Sequence, residues 1–197
     1  MKLYMTPGAC SLSDHIALNE AGLHYEMVRV DIPTRKTEKG EDFTKVNPKG
    51  YVPALVLDDG TVLTENAAIL LWIAEQAPHL KPKDVMARVR LVEALSFIGA
   101  EIHKPFIRSF FAPREEDKAE ARNAVMGRLQ TIADAMKHDH LLGTAFSTAD
   151  AYLYVMLRWA KGSQMELPAP LGAYFERIGN RPAVRAALQE EGLEEAA

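Results

Sequence analysis

A chain of 197 residues, 48% hydrophobic and 25% charged, has material for one large domain or two small ones, each with its own core. Its 23 Lys and Arg against 27 Asp and Glu leave a net charge of −4, and no long basic block stands out, which argues against a general nucleic-acid binder. One cysteine allows no internal disulfide, no stretch nears the roughly 18 apolar residues of a membrane span, and no apolar leader core follows Lys2; a cytoplasmic protein without a membrane partner is expected.

The first half mixes strand and helix signals. Residues 2–5 read as a strand, broken at Thr6-Pro7-Gly8-Ala9, and the lone Cys10 follows just before a helical pattern that ends near Gly22. Residues 25–30 read as a second strand and 40–46 as a short helix. The apolar run 52–57 predicts a strand, turned at Asp59-Gly60 into a hairpin partner at 61–64. A helix over 65–77 follows, with Ala68, Leu71, Trp72 and Ile73 expected on its apolar side. The order βαβα then ββα gives a parallel half and a hairpin half.

Pro78-His79-Leu80-Lys81-Pro82 breaks the pattern and reads as a linker, after which the texture is helical. Val85, Val89, Val92, Leu95, Ile98, Ile102, Phe106 and Phe110 step by three and four, which predicts one long helix bent or divided at Pro105. A second helix is expected over 114–137. A third opens at Ser147, whose spacing to Asp150 resembles a capping box, and is apolar almost all round, so it should be central. A last helix starts after Arg181, with Pro182 suited to a first helical position. Two domains are expected: an α/β one over 1–77 and an all-α one over 84–197.

A thiol at a helix N-terminus faces the positive end of the helix dipole, a setting that lowers its pKa from about 8.5 to roughly 3.5–7.5. The other reading of Cys10 is an inert buried thiol. Val52-Pro53 at the mouth of a strand suits a cis turn that leaves the Val52 backbone open to an extended ligand, or an ordinary trans proline. Thr64-Glu65-Asn66 opens a helix. Glu65 could hold a ligand ammonium while Asn66 and the backbone hold a carboxylate, or these residues simply cap the helix. Ser96, Ala100 and His103 share one side of the long helix. His138-Asp139-His140 lacks further clustered ligands, so no metal is expected.

Together these positions resemble the cytosolic glutathione S-transferases, specifically the bacterial beta class. The stretches that carry the resemblance are Pro7-Gly8-Ala9-Cys10-Ser11-Leu12-Ser13, Val46-Asn47-Pro48-Lys49-Gly50-Tyr51-Val52-Pro53-Ala54-Leu55, Leu57-Asp58-Asp59-Gly60, Glu101-Ile102-His103-Lys104, Ser147-Thr148-Ala149-Asp150-Ala151-Tyr152-Leu153 and Glu191-Gly192-Leu193. The resemblance implies a thioredoxin-like N-terminal domain, a helical C-terminal domain, a homodimer and glutathione as co-substrate. Cys10 is then expected to face the glutathione sulfur and Val52, before a cis Pro53, to pair with its cysteinyl part. Glu65 and Asn66 would hold the γ-glutamyl end, and Arg35 or Lys36 the glycyl carboxylate. His103 and Lys104, as cations, would close over the thiol, with Glu101 nearby or lent to the partner subunit. Ser96 stands where the family pattern has Asn, and Leu95 where it has Trp.

The activity implied is attack of the glutathione thiolate on small hydrophobic electrophiles, a detoxification chemistry. The expected walls of the acceptor site are Pro7, Phe106, Phe110, Phe111, Arg158 and Trp159. Two other readings stay open: thiol–disulfide exchange through Cys10, whose Cys10-Ser11-Leu12-Ser13 has the spacing of monothiol glutaredoxins, and a non-catalytic carrier of apolar ligands.

Overall fold

Strand β1 (Lys2–Met5) is buried on both sides after its first residue, as a central strand must be. In this computed structural model, which describes residues 1–193, it pairs in parallel with β2 (Glu26–Asp31) and antiparallel with β4 (Ala54–Val56). The two-residue β3 (Lys36–Thr37) and the hairpin strand β5 (Val62–Thr64) complete a five-stranded sheet in the order β3-β2-β1-β4-β5. Alternation along β1 sends Tyr4 to one face, where it stacks on Phe43 at 5.4 Å and joins Val28, Val30, Val52 and Ala54 in a core cluster.

Helix α1 (Leu12–Ala21) ends at Gly22, whose φ of +66° supplies the left-handed turn that a Cβ would disfavour. Helix α2 (Asn66–Gln76) buries Ile69, Leu70, Ile73 and Ala74. Of the expected apolar side only Ile73 is fully buried; Ala68 is exposed and Leu71 and Trp72 are partly so. The buried side of the helix runs instead through Asn66, Ile69, Leu70, Ile73 and Ala74. The short helix expected over 40–46 contracts to one turn at Phe43–Lys45.

The helical unit begins with α3 (Val85–Phe97), capped by Asp84, whose Oδ1 accepts from the Ala87 N–H at 2.7 Å. A wider π-helical turn over Ile98–His103 joins it to α4 (Lys104–Phe111), so the single long helix is interrupted seven residues before Pro105 and that proline takes the first turn of α4. The expected apolar stripe also divides. Leu91, Leu95, Ile98, Ile102 and Phe106 are buried, whereas Val85 and Val89 are 80% and 50% exposed. Helix α5 (Glu115–Ala135) buries Ala121, Val125, Leu129 and Ile132 along one side. Helix α6 (Thr148–Gly162) is buried throughout its first ten residues, and the Ser147–Asp150 capping box is formed. Helix α7 (Ala169–Gly179) has no counterpart in the sequence reading, because Pro168 and Pro170 look like breakers although a proline fits a helix's first turn.

The chain divides into two units, Met1–Pro82 with the residues from Arg181 on, and Lys83–Asn180. Helix α8 (Pro182–Glu191), expected in the helical domain over 84–197, groups by its contacts with the first unit and packs on α1. Arg181 secures it there with a two-pronged ion pair to Glu20 at 2.5 and 2.8 Å. Residues 194–197 of the expected domain lie outside the described residues. No helix among the described residues is long and apolar enough to cross a membrane.

Candidate active site

In the first unit, two helix N-termini and one loop converge. Cys10 sits where β1 turns into α1, and its thiol donates to the Val52 carbonyl oxygen at 3.6 Å. The Val52–Pro53 bond is cis. Asn66, the first residue of α2, is buried, and its Nδ2 donates to the Cys10 carbonyl at 3.0 Å, Ser13 Oγ at 2.9 Å and Asp14 Oδ2 at 2.8 Å. That amide ties the start of α2 to the start of α1. Its side-chain donors are spent inside the protein, so what it can offer a carboxylate is the backbone N–H at the helix start, together with that of Ala67.

Glu65 immediately precedes α2 with φ of +72°, a conformation rare for a residue with a Cβ and costing on the order of 1–3 kcal/mol. The structure shows neither Thr64 nor Asn66 as the cap; Glu65 holds the cap position and makes no side-chain cap bond. Its carboxylate instead turns outward, where Oε1 accepts from Lys49 Nζ at 2.5 Å and from the Tyr51 hydroxyl at 2.9 Å. Lys49 and Tyr51 were not among the site residues expected from sequence. They flank Gly50 in the Lys49-Gly50-Tyr51-Val52-Pro53 stretch, which was the available signal.

Of the two candidate cations, the structure brings Arg35 to this loop: a Cβ on Gly50 would fall 3.0 Å from its Nε. Lys36 lies in β3 and is exposed.

The expectation of a depressed thiol pKa is overturned. Burial pushes Cys10 up to about 12, and the nearby Asp14 carboxylate adds to the rise. The N–H groups of Cys10 and Ser11 pull the other way and lose. Asp14 is itself fully buried with Oδ1 lacking a partner among the described residues, and burial holds its carboxyl well above the usual range. A thiol this high is almost wholly protonated at neutral pH, with a thiolate fraction on the order of 10⁻⁵. Alkylation of Cys10 by iodoacetamide, followed by intact mass, should therefore be slow and rise about tenfold per pH unit between about pH 7 and 9. A rate that levels off below about pH 8 would contradict the neutral thiol.

In the helical unit, His103 ends the π-helical turn. Its Nδ1 lies 2.7 Å from the Tyr152 hydroxyl and its ring meets Trp159 edge-on at 5.2 Å. Burial lowers its pKa to about 4, so the expected cation is a neutral imidazole at pH 7. Lys104 and Ser96 are exposed, and Glu101 pairs with Arg128 of α5 at 2.8 Å. Phe106 and Phe110 stack at 5.7 Å and meet Trp159 edge-on at 5.7 and 5.4 Å, an aromatic patch in which Phe106 is buried and Phe110 partly exposed. A hollow of about 540 Å³ on this unit is lined by Arg122, Met126, Gln130, Met165 and Leu167 and contains none of the expected site residues.

Two family descriptions match the chain in order: "Glutathione S-transferase, N-terminal domain" over residues 9–76 and "Glutathione S-transferase, C-terminal domain" over 100–191. The chain belongs to the glutathione S-transferase family. It is 42% identical to a glutathione S-transferase of Escherichia coli O157:H7, with 98% of this chain and 100% of that one covered. A sphingomonad glutathione S-transferase, solved in complex with glutathione, is 50% identical and superposes with a TM-score of 0.93, covering 98% of this chain and 100% of that one. The bacterial beta class enzyme of Sphingomonas chungbukensis is 48% identical, with the same TM-score and coverage. The resemblance read from Cys10, Val52-Pro53 and Glu65-Asn66 is thereby borne out at the level of family and class, and this glutathione S-transferase has the expected thioredoxin-like sheet and helical domain.

Proposed function

We propose that this glutathione transferase binds the tripeptide along its first unit and joins the thiolate to small hydrophobic electrophiles, as a detoxifying, cytoplasmic homodimer. The observation that carries the reading is the convergence of Cys10, Val52 and the Glu65–Asn66 helix start in one unit, tied together by the Asn66 amide. The Glu65 carboxylate suits the ligand's α-ammonium and the N–H groups at the start of α2 its α-carboxylate. The Val52 backbone suits the cysteinyl amide, and the Arg35 guanidinium the glycyl carboxylate. The ligand sulfur then lies by the N-terminus of α1, whose N–H groups favour the thiolate.

Cys10 acts in this reading as a neutral S–H donor to that thiolate, exchanging its present bond to the Val52 carbonyl for one to the ligand. The buried, protonated thiol favours conjugation over disulfide exchange, since an exchanging cysteine must attack as thiolate. The sulfur lone pair forms the new carbon–sulfur bond, and the leaving group departs with its bonding pair.

The reading is tested by calorimetry. Glutathione at millimolar concentration should give a saturable heat and a rise in Tm; absence of both would remove it. The homodimer is supported by the apolar stripe that α3 leaves exposed, Val85, Met86, Val89 and Val92. Light scattering at micromolar concentration should give about twice the 21.8 kDa chain mass. A single-chain mass would contradict it.

A further inference from the structure

Two segments far apart in sequence, residues 8–15 and 190–191, meet beneath the loop that carries Cys10. His15, on α1, has no exposed surface; its Nδ1 lies 2.9 Å from Glu191 Oε1 and its Nε2 2.6 Å from Glu190 Oε2. The Glu191 side chain is completely buried, and its second oxygen, Oε2, accepts from the Gly8 N–H at 2.8 Å.

Gly8 is the one residue of the Thr6–Cys10 turn with φ above zero, at +72°, and a Cβ there would lie 3.5 Å from Leu193. Leu193 is placed by the turn that closes α8: Gly192 is left-handed and the Leu193 N–H returns to the Leu188 carbonyl at 2.8 Å. The loop is thus held from beneath by a buried carboxylate and by an apolar side chain, both from the chain's C-terminal segment.

We infer that Glu191, itself oriented by His15, is a positioning residue for the glutathione sulfur: it fixes the Gly8 backbone, and through it the place of Cys10 and the N-terminus of α1. This rests on the reading of the first unit as the glutathione site. A carboxylate with no exposed surface that spends one oxygen on a ring nitrogen and the other on a backbone N–H has its geometry fully determined, which suits a support for a catalytic loop. The anchors proposed for the two ends of the tripeptide, Glu65, Asn66 and Arg35, lie elsewhere. Loss of Glu191 should therefore misplace the sulfur's surroundings while leaving the tripeptide bound.

The test compares Glu191→Ala with Arg181→Ala, which breaks a different tie between α8 and α1 without touching the loop. Calorimetry gives the glutathione Kd, the ultraviolet absorbance of bound thiolate at neutral pH gives ionisation, and kcat and KM follow from aryl conjugation. Glu191→Ala should lose about fivefold or more in bound thiolate and in kcat, with Kd changed less than about twofold. Arg181→Ala should lower Tm and leave ionisation and kcat as in the parent. If Glu191→Ala fails to accumulate, Glu191→Gln decides. It keeps the volume and an acceptor oxygen, but its neutral oxygen bonds about half as strongly, so bound thiolate should fall about twofold. Unchanged ionisation in the folded Glu191 variant, or equal losses in the two helix variants, would overturn the inference. A parent that binds no glutathione in the same calorimetry overturns instead the reading beneath it.

Discussion

Replacing Glu65 by Gln should weaken glutathione binding by about tenfold to a hundredfold, the range for a charge-assisted hydrogen bond whose partner loses its ion. Gln keeps the side-chain length and the unusual φ of +72°, so the change removes the charge without a new backbone preference. The free protein already brings a cation to this carboxylate, Lys49 Nζ at 2.5 Å, so the site is electrostatically prepared for an ammonium and the ligand must compete for it. The loss should appear in KM and in the calorimetric Kd, with kcat at saturating glutathione reduced less than about threefold, because Glu65 is proposed to hold the end of the tripeptide remote from its sulfur. A kcat that falls as far as KM rises would show that Glu65 acts on the reacting sulfur.

The largest stability effect is expected at Asp150. Its Oδ2 accepts from the Ser147 N–H at 2.8 Å and the Ser147 hydroxyl at 2.7 Å, and its Oδ1 from the Leu141 N–H and the Tyr174 hydroxyl, each at 2.8 Å. One buried carboxylate thus caps α6, anchors the loop before it and satisfies a buried tyrosine of α7. Asp150→Ala leaves all of these donors without their acceptor in the core of the helical unit, at a cost of about 3–5 kcal/mol. Asp150→Asn, which keeps one acceptor oxygen, should lose about half as much. Urea unfolding followed by far-ultraviolet dichroism measures both, and a shift below about 1 kcal/mol for the alanine variant would mean the donors find water.

The features legible in sequence are those whose cause is local. A turn glycine after a helix, a Ser-x-x-Asp cap and a strand bounded by Pro-Gly write their geometry into adjacent residues, and Gly22, Ser147–Asp150 and β1 came out as read. The pairing of Val52-Pro53 with Glu65-Asn66 was legible only through the family resemblance. What stayed hidden depends on burial or on distant partners. The Cys10 thiol was expected to be acidified by its helix terminus, but its desolvation comes from the packing around it and outweighs the dipole. His103 follows the same rule. The π-helical turn carries no composition signal, so the stripe from Val85 to Phe110 read as one face when it is two. His15 and Glu191 stand 176 residues apart, and no periodicity announces their meeting.

The most direct measurement is the rate of chloronitrobenzene conjugation as a function of glutathione concentration, run beside reduction of hydroxyethyl disulfide by the same preparation. The neutral Cys10 and the convergent site lead us to expect a conjugation rate well above the uncatalysed one and saturable in glutathione, retained in part by Cys10→Ala, with little disulfide reduction by either protein. Conjugation no faster than the uncatalysed reaction, together with disulfide reduction that disappears in Cys10→Ala, would contradict it.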